Sequence, residues 1–189
     1  MALNLFATLT GLHLAIMQFC FFFILLVNVT STYVTYASVV IAWMVGTIIG
    51  LLLPRLRAGV ALLAGGLSYY AVYFLVISDP LAPSTLPIAT FGVAVTGLWA
   101  GRFFVVMLPL FSGADRLFFH ENNGFLLGII AVFVGFTLLG MPFLLWTPLF
   151  SILLLMGYLQ WLYRRHGQDA LRLFGTGRPR AAATGDEFA

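Results

Sequence analysis

From Leu5 to Tyr163 the chain is a series of long apolar runs interrupted at only five places. A bilayer core of roughly 30 Å takes about 20 apolar residues in a helix. Six segments meet that length, at 5–28, 32–53, 58–78, 86–111, 124–141 and 143–163. The breaks are Asn28-Val-Thr-Ser31, Pro54-Arg-Leu-Arg57, the proline-rich stretch from Asp79-Pro80 to Pro87, Gly113 to Gly124, and Gly140-Met-Pro142. Proline lacks the N–H that would continue a helix, so the proline-rich third break carries its own stop signal, and Gly140-Met-Pro142 is the tightest of the five. The pattern predicts an all-α integral membrane protein: a six-helix transmembrane domain over 1–163 and a basic tail over 164–189.

Composition narrows the solvent. Sixty-two per cent of residues are hydrophobic and 8% are charged, far below the roughly 25% charge of a soluble domain. Such a surface needs lipid around it. The first ten residues carry no Lys or Arg, and the following apolar run exceeds a signal-peptide core, so residue 1 reads as the true start. All nine basic residues are Arg, five of them in the last 26 positions. That distribution is a topology signal, not a nucleic-acid footprint. Arg55 and Arg57 put the second connection in the cytoplasm, and Arg164, Arg165, Arg172, Arg178 and Arg180 put the tail there too. Six crossings make both assignments agree, with both termini cytoplasmic and the protein multi-pass in a bacterial inner (plasma) membrane. Gln168 to Phe174 reads as a short surface helix, and the rest of the tail as mostly disordered.

Packing and chemistry come from the few exceptions to the apolar runs. Small residues let membrane helices approach closely, and Gly46/Gly50, Gly97/Gly101 and Gly124/Gly128 each have four-residue spacing. Gly113 to Gly124 gathers Arg116, His120, Glu121, Asn122 and Asn123. It reads as a cytoplasmic turn entering span five, with Asn122 or Asn123 capping the helix. Inside the spans only His13 and Arg102 are ionisable, and no Asp or Glu falls within the six segments. Arg102 lies about 14 Å from the end of span four. Its candidate partners are Gln18, Tyr69, Tyr70, Tyr73, backbone carbonyls or an external anion, which makes Arg102, His13, Gln18 and Tyr73 the candidate buried site. The sequence gives no cofactor: His13 has no second His in a span for haem, and the lone Cys20 excludes a cysteine cluster. No catalytic constellation is visible, and the missing carboxylate argues against proton or sodium coupling.

Two further patterns bear on architecture. Val45 to Pro54 (VGTIIGLLLP) and Val134 to Pro142 (VGFTLLGMP) share a Val-Gly, Thr, aliphatic, Gly, Pro order, as an inverted three-plus-three repeat would. Gln18 through Leu53 contains Ser31-Thr-Tyr33, Thr35-Tyr36, Ala42-Trp-Met44 and Gly46-x-x-x-Gly50, and so resembles the first two helices of spermidine-synthase-like membrane proteins. Asp115-Arg-Leu-Phe-Phe-His-Glu-Asn-Asn-Gly-Phe-Leu-Leu-Gly128 is similar to that family's Gly-Arg-Leu-Tyr-x-x-Asn-x-x-Gly-x-x-x-Gly element. Arg116, Leu117, Gly124 and Gly128 match. Asp115 and Phe118 depart, and the Asn spacing is one residue longer.

The resemblance spans about 10–160 and implies a membrane domain like half a major facilitator. The family's aminopropyl transfer needs a separate nucleotide-binding domain, for which the 26-residue tail has no room. The expected function is therefore a non-enzymatic membrane subunit that binds or anchors a partner protein or complex. The alternative is a small-solute, anion-accepting transporter made of two six-helix copies. Its partners would be the lipid bilayer and another membrane protein or a second copy, with no nucleic acid.

Overall fold

A computed structural model describes residues 1–30, 33–53 and 55–166. The described chain forms six long helices: α1 (Ala2–Asn28), α2 (Tyr33–Leu52), α3 (Ala58–Ser78), α4 (Thr85–Met107), α5 (Ala114–Leu139) and α6 (Met141–His166). All six are long and apolar enough to cross a membrane, which makes this a multi-pass membrane protein by length and composition. The expected tail helix at Gln168 to Phe174 lies outside the described residues.

Local chemistry sets the helix ends. Pro109 has no N–H to continue α4, and the chain tightens there into a 3₁₀ turn over Leu108–Leu110. Gly140 separates α5 from α6 at φ 61°, the one positive φ among the described residues. Its N–H bonds to Phe136 O at 2.8 Å while its carbonyl accepts from Phe143 N at 3.1 Å. A side chain would be strained at that φ, so glycine ends the helix.

One boundary departs strongly from the expected one. α5 starts at Ala114, ten residues before the predicted Gly124. Arg116, His120, Glu121 and Asn123 therefore stand on a helix, not in a turn. Neither Asn caps it: Gly113 holds the cap position without a side-chain bond, and Asn123 Nδ2 donates to Phe119 O inside the helix at 2.6 Å. The apolar run marks the hydrocarbon-facing length of a helix. Leu, Arg and Glu extend a helix beyond it at little penalty.

α1 and α4 form the centre of the bundle, with α2, α3, α5 and α6 around them. Phe6, Met17, Phe21, Trp99 and Phe103 of the two central helices are fully buried. Large apolar side chains such as Ile41, Ile48, Leu126 and Ile130 project outward from α2 and α5, as lipid-facing surfaces do. Tyr158 Oη donates to Ala2 O at 3.0 Å, so α6 runs antiparallel to α1 and ends on the face where α1 begins.

The outer helices are tied by polar bonds to backbone. Pro148 inside α6 cannot donate to Leu144 O, and Tyr69 Oη of α3 fills that acceptor at 2.7 Å. The neighbouring Leu145 O takes Tyr70 Oη at 2.8 Å. Between α3 and α4, Ser68 Oγ donates to Gly92 O at 2.9 Å and Thr96 Oγ1 to Gly65 O at 3.1 Å. In hydrocarbon such bonds replace water that is not there.

Candidate functional site: two glycine seams and a buried cationic patch

Six glycines singled out from sequence fall at two helix crossings. In the α2/α4 seam a Cβ on Gly46 would strike the Ala94 carbonyl, and one on Gly50 the Leu98 carbonyl. From the other side, Gly97 lies on Trp43 O and Thr47 N, and Gly101 on Thr47 O and Leu51 N. In the α1/α5 seam Gly124 lies on Thr8 O, and Gly128 on Leu12 O and the Ala15 methyl. Gly11, which has no four-residue partner in sequence, completes that seam against Glu121 O and Phe125 N. Backbone touches backbone in both, which only glycine permits.

The two seams share one contact register. Gly46 and Gly50 against Ala94 and Leu98 become Gly124 and Gly128 against Thr8 and Leu12 by one constant shift along each helix. The same shifts carry Gly97 with Trp43 and Thr47 onto Gly11 with Glu121 and Phe125. The alignment expected from VGTIIGLLLP and VGFTLLGMP fails in register, because Gly135 packs on the Phe143 ring of α6, away from any seam. Shared composition near two helix ends produced that match.

The candidate buried site does not assemble as expected. His13 bonds Ser151 of α6, with Nδ1 to Oγ at 2.9 Å. Ser151 Oγ donates to Pro148 O at 2.8 Å, so its single proton is committed and His13 Nδ1 carries the hydrogen. Gln18 and Tyr73 are too far along the bundle. α3 packs α4 with Ser68 and Val72 at Gly92 and Gly65 at Thr96, which sets Tyr73 about 20 Å along the axis from Arg102. Phe6 pairs with Phe103 (ring centroids 6.3 Å apart), which leaves Gln18 roughly 16 Å away on the same count.

Arg102 itself is 3% exposed, and its Nε and Nη1 have no hydrogen-bond partner. A charge at a membrane helix centre costs about 2.5–3.5 kcal/mol on the insertion scale. Two other buried polar atoms also lack partners, Trp99 Nε1 and Thr10 Oγ1. Trp99 is one turn from Arg102 on α4. Thr10 is one turn beyond Phe6 on α1, as Trp99 is one turn from Phe103, so the Phe6–Phe103 contact brings the two level.

The structure also supplies an acid that sequence reasoning placed in water. Glu121 is 5% exposed and lies on the buried stripe of α5 with Leu117, Gly124 and Gly128. Phe104 of α4 contacts Phe118 of α5, ring centroids 5.0 Å apart, and one turn further brings Glu121 to the depth of Arg102. On the α4 wheel Arg102 points about 160° away from Phe104, so the two charges share a depth without facing each other. The other residues of that stretch are peripheral: Arg116 Nη1 donates to Ser112 Oγ at 3.4 Å, and Asn123 is exposed. His120 stacks edge-on to Phe119. Among the described residues no three His, Cys, Asp or Glu gather to hold a metal ion.

No family model matches the sequence, and neither curated proteins nor solved structures give a match to the chain.

Proposed function

We propose that this chain is a non-enzymatic six-helix membrane unit built as an inverted three-plus-three repeat, resembling half a major facilitator. It acts as half of a small-solute transporter, completed by a second copy, in the bacterial inner membrane with both termini cytoplasmic. The shared register of the two glycine seams carries the reading. An inverted repeat exchanges α1 with α4 and α2 with α5, which turns an α2/α4 seam into an α5/α1 seam with equivalent contacts. Smooth backbone-on-backbone crossings also suit helices that rock against each other.

A second observation moves transport ahead of a partner-anchoring subunit. Sequence reasoning kept transport as the alternative and argued against proton or sodium coupling for want of a carboxylate in a span, and buried Glu121 belongs to a helix long and apolar enough to be one. Native mass spectrometry from mild detergent separates the readings. Two copies of this chain and nothing else are expected. A different chain in fixed stoichiometry would establish the anchoring subunit instead, and a strict monomer would defeat the two-copy transporter.

A further inference from the structure

We propose that the patch between α1 and α4 formed by Thr10, Trp99 and Arg102 binds a small oxyanion, a carboxylate or a phosphate. Buried side-chain donors in folded proteins nearly always have partners. Those that lack one among the described residues are Thr10 Oγ1, Trp99 Nε1, Arg102 Nε and Arg102 Nη1. Packing faults would scatter through the bundle. Three of these four atoms lie on α4 within a single turn, and the fourth, on α1, is level with Trp99 by the Phe6–Phe103 contact.

Their chemistry agrees with their position. All four present N–H or O–H groups, and one of the side chains carries a fixed positive charge. Thr10 is 0%, Trp99 2% and Arg102 3% exposed, so bulk water does not serve them. Charge-assisted bonds from Arg to an oxyanion are the strong class of such contacts, and indole and hydroxyl donors add direction. The nearest acid in depth, Glu121, belongs to another sector of α4's surroundings, so no carboxylate among the described residues fills the site. His13, one turn beyond Thr10, is already engaged by Ser151. The apolar rings of Phe6 and Phe103 wall the patch and favour a compact anion with little further polarity.

The inference names a substrate class for the proposed transporter, yet it is read by binding alone and survives if the two-copy assembly fails. The same oxyanion chemistry has two sources, a free solute or the phosphate of a lipid headgroup. The test uses the whole chain in phosphatidylcholine nanodiscs and follows thermal unfolding while sodium phosphate or sodium acetate replaces sodium chloride at constant ionic strength. Parallel discs contain phosphatidylglycerol. A saturable rise in melting temperature is expected. Arg102→Lys should weaken the apparent affinity at least tenfold and Arg102→Gln should abolish the rise. Thr10→Val, which keeps the fold's shape and charge, should lower affinity several-fold and serves as the reading if the Arg102 variants do not fold. A rise with phosphate or acetate assigns a solute, and a rise with phosphatidylglycerol alone assigns a headgroup. No rise with any of the three, or equal rises in wild type and Arg102→Gln or Thr10→Val, overturns the proposal.

Discussion

The α2/α4 and α1/α5 seams differ in what they carry more than in how they pack. At matched contact positions, α2 presents Trp43 where α5 presents Glu121. The shift that brings Gly97 onto Gly11 brings Arg102 onto Ile16 and Trp99 onto His13. Each helix pair therefore carries one charged group where its counterpart is apolar. The packing rule is repeated and the chemistry is not. A protein that departs from its own pattern at buried charges does so at a stability penalty, and such departures cluster at functional positions. Arg102 and Glu121 are the departures here.

The comparison breaks most severely if a seam is forced open. Gly46→Leu and Gly124→Leu each place a branched side chain where backbone carbonyls of Ala94 and Thr8 already sit. Overpacking costs about 1–3 kcal/mol where side chains can yield, and backbone yields less. Both variants should lose about 3 kcal/mol or more in thermal unfolding in mild detergent, while still inserting. Gly59→Leu is the control, since nothing lies within 4 Å of a Cβ there. Unchanged melting of Gly46→Leu would mean that the α2/α4 seam is not closed in the membrane.

A smaller substitution sharpens the contrast between seams. Gly101 lies on Thr47 O and Leu51 N, whereas its counterpart on α1 is Ala15, whose methyl already fits against Gly128. Gly101→Ala should therefore destabilise by about 1–3 kcal/mol. Ala15→Gly should cost about 1 kcal/mol or less, the helix-propensity penalty. Equal losses measured for the two would show that the seams are equally tight at these positions.

Sequence reading reached some of this and missed the rest for identifiable reasons. The number and approximate extent of the helices follow from apolar run length, and α3 lands on its predicted bounds of Ala58–Ser78. The start of α5 does not, because a helix continuing past the apolar run leaves no hydropathy signal, and that error put Glu121 in water. The paired glycines were visible as spacing, but which pairs meet depends on helix order in space. Gly11 gave no spacing at all. Pro148 did carry a usable signal: a proline within an apolar span frees the carbonyl four residues earlier, and the Tyr69-Tyr70 pair was available to answer it.

That bond gives the next prediction, outside both seams. Tyr69→Phe leaves Leu144 O without its only donor from α3. Interhelical hydrogen bonds in membranes average about 0.6 kcal/mol, with about 1.7 as the upper end. The loss should fall in that range and be separable from the seam variants by additivity, since double mutants with Gly101→Ala should sum. Coupling between the two sites would mean that α6 is part of the same packing unit as the α2/α4 seam.

The smallest effect is expected at the charge that sets the α1/α5 seam apart. Glu121→Gln keeps the length and shape of the side chain and removes only its capacity to be charged. The Glu121 carboxyl makes no hydrogen bond or ion pair with any described residue, so no partner is stranded by the change. Its backbone carbonyl, the atom that meets Gly11, is untouched. Melting of Glu121→Gln should not fall measurably below wild type, because the change breaks no interaction and removes a buried group that can carry charge. Breaking one side of a buried ion pair costs about 3–5 kcal/mol instead. A loss of that size would show that Glu121 is held by a cation, and would turn the α1/α5 seam from a site with an unengaged acid into a locked one.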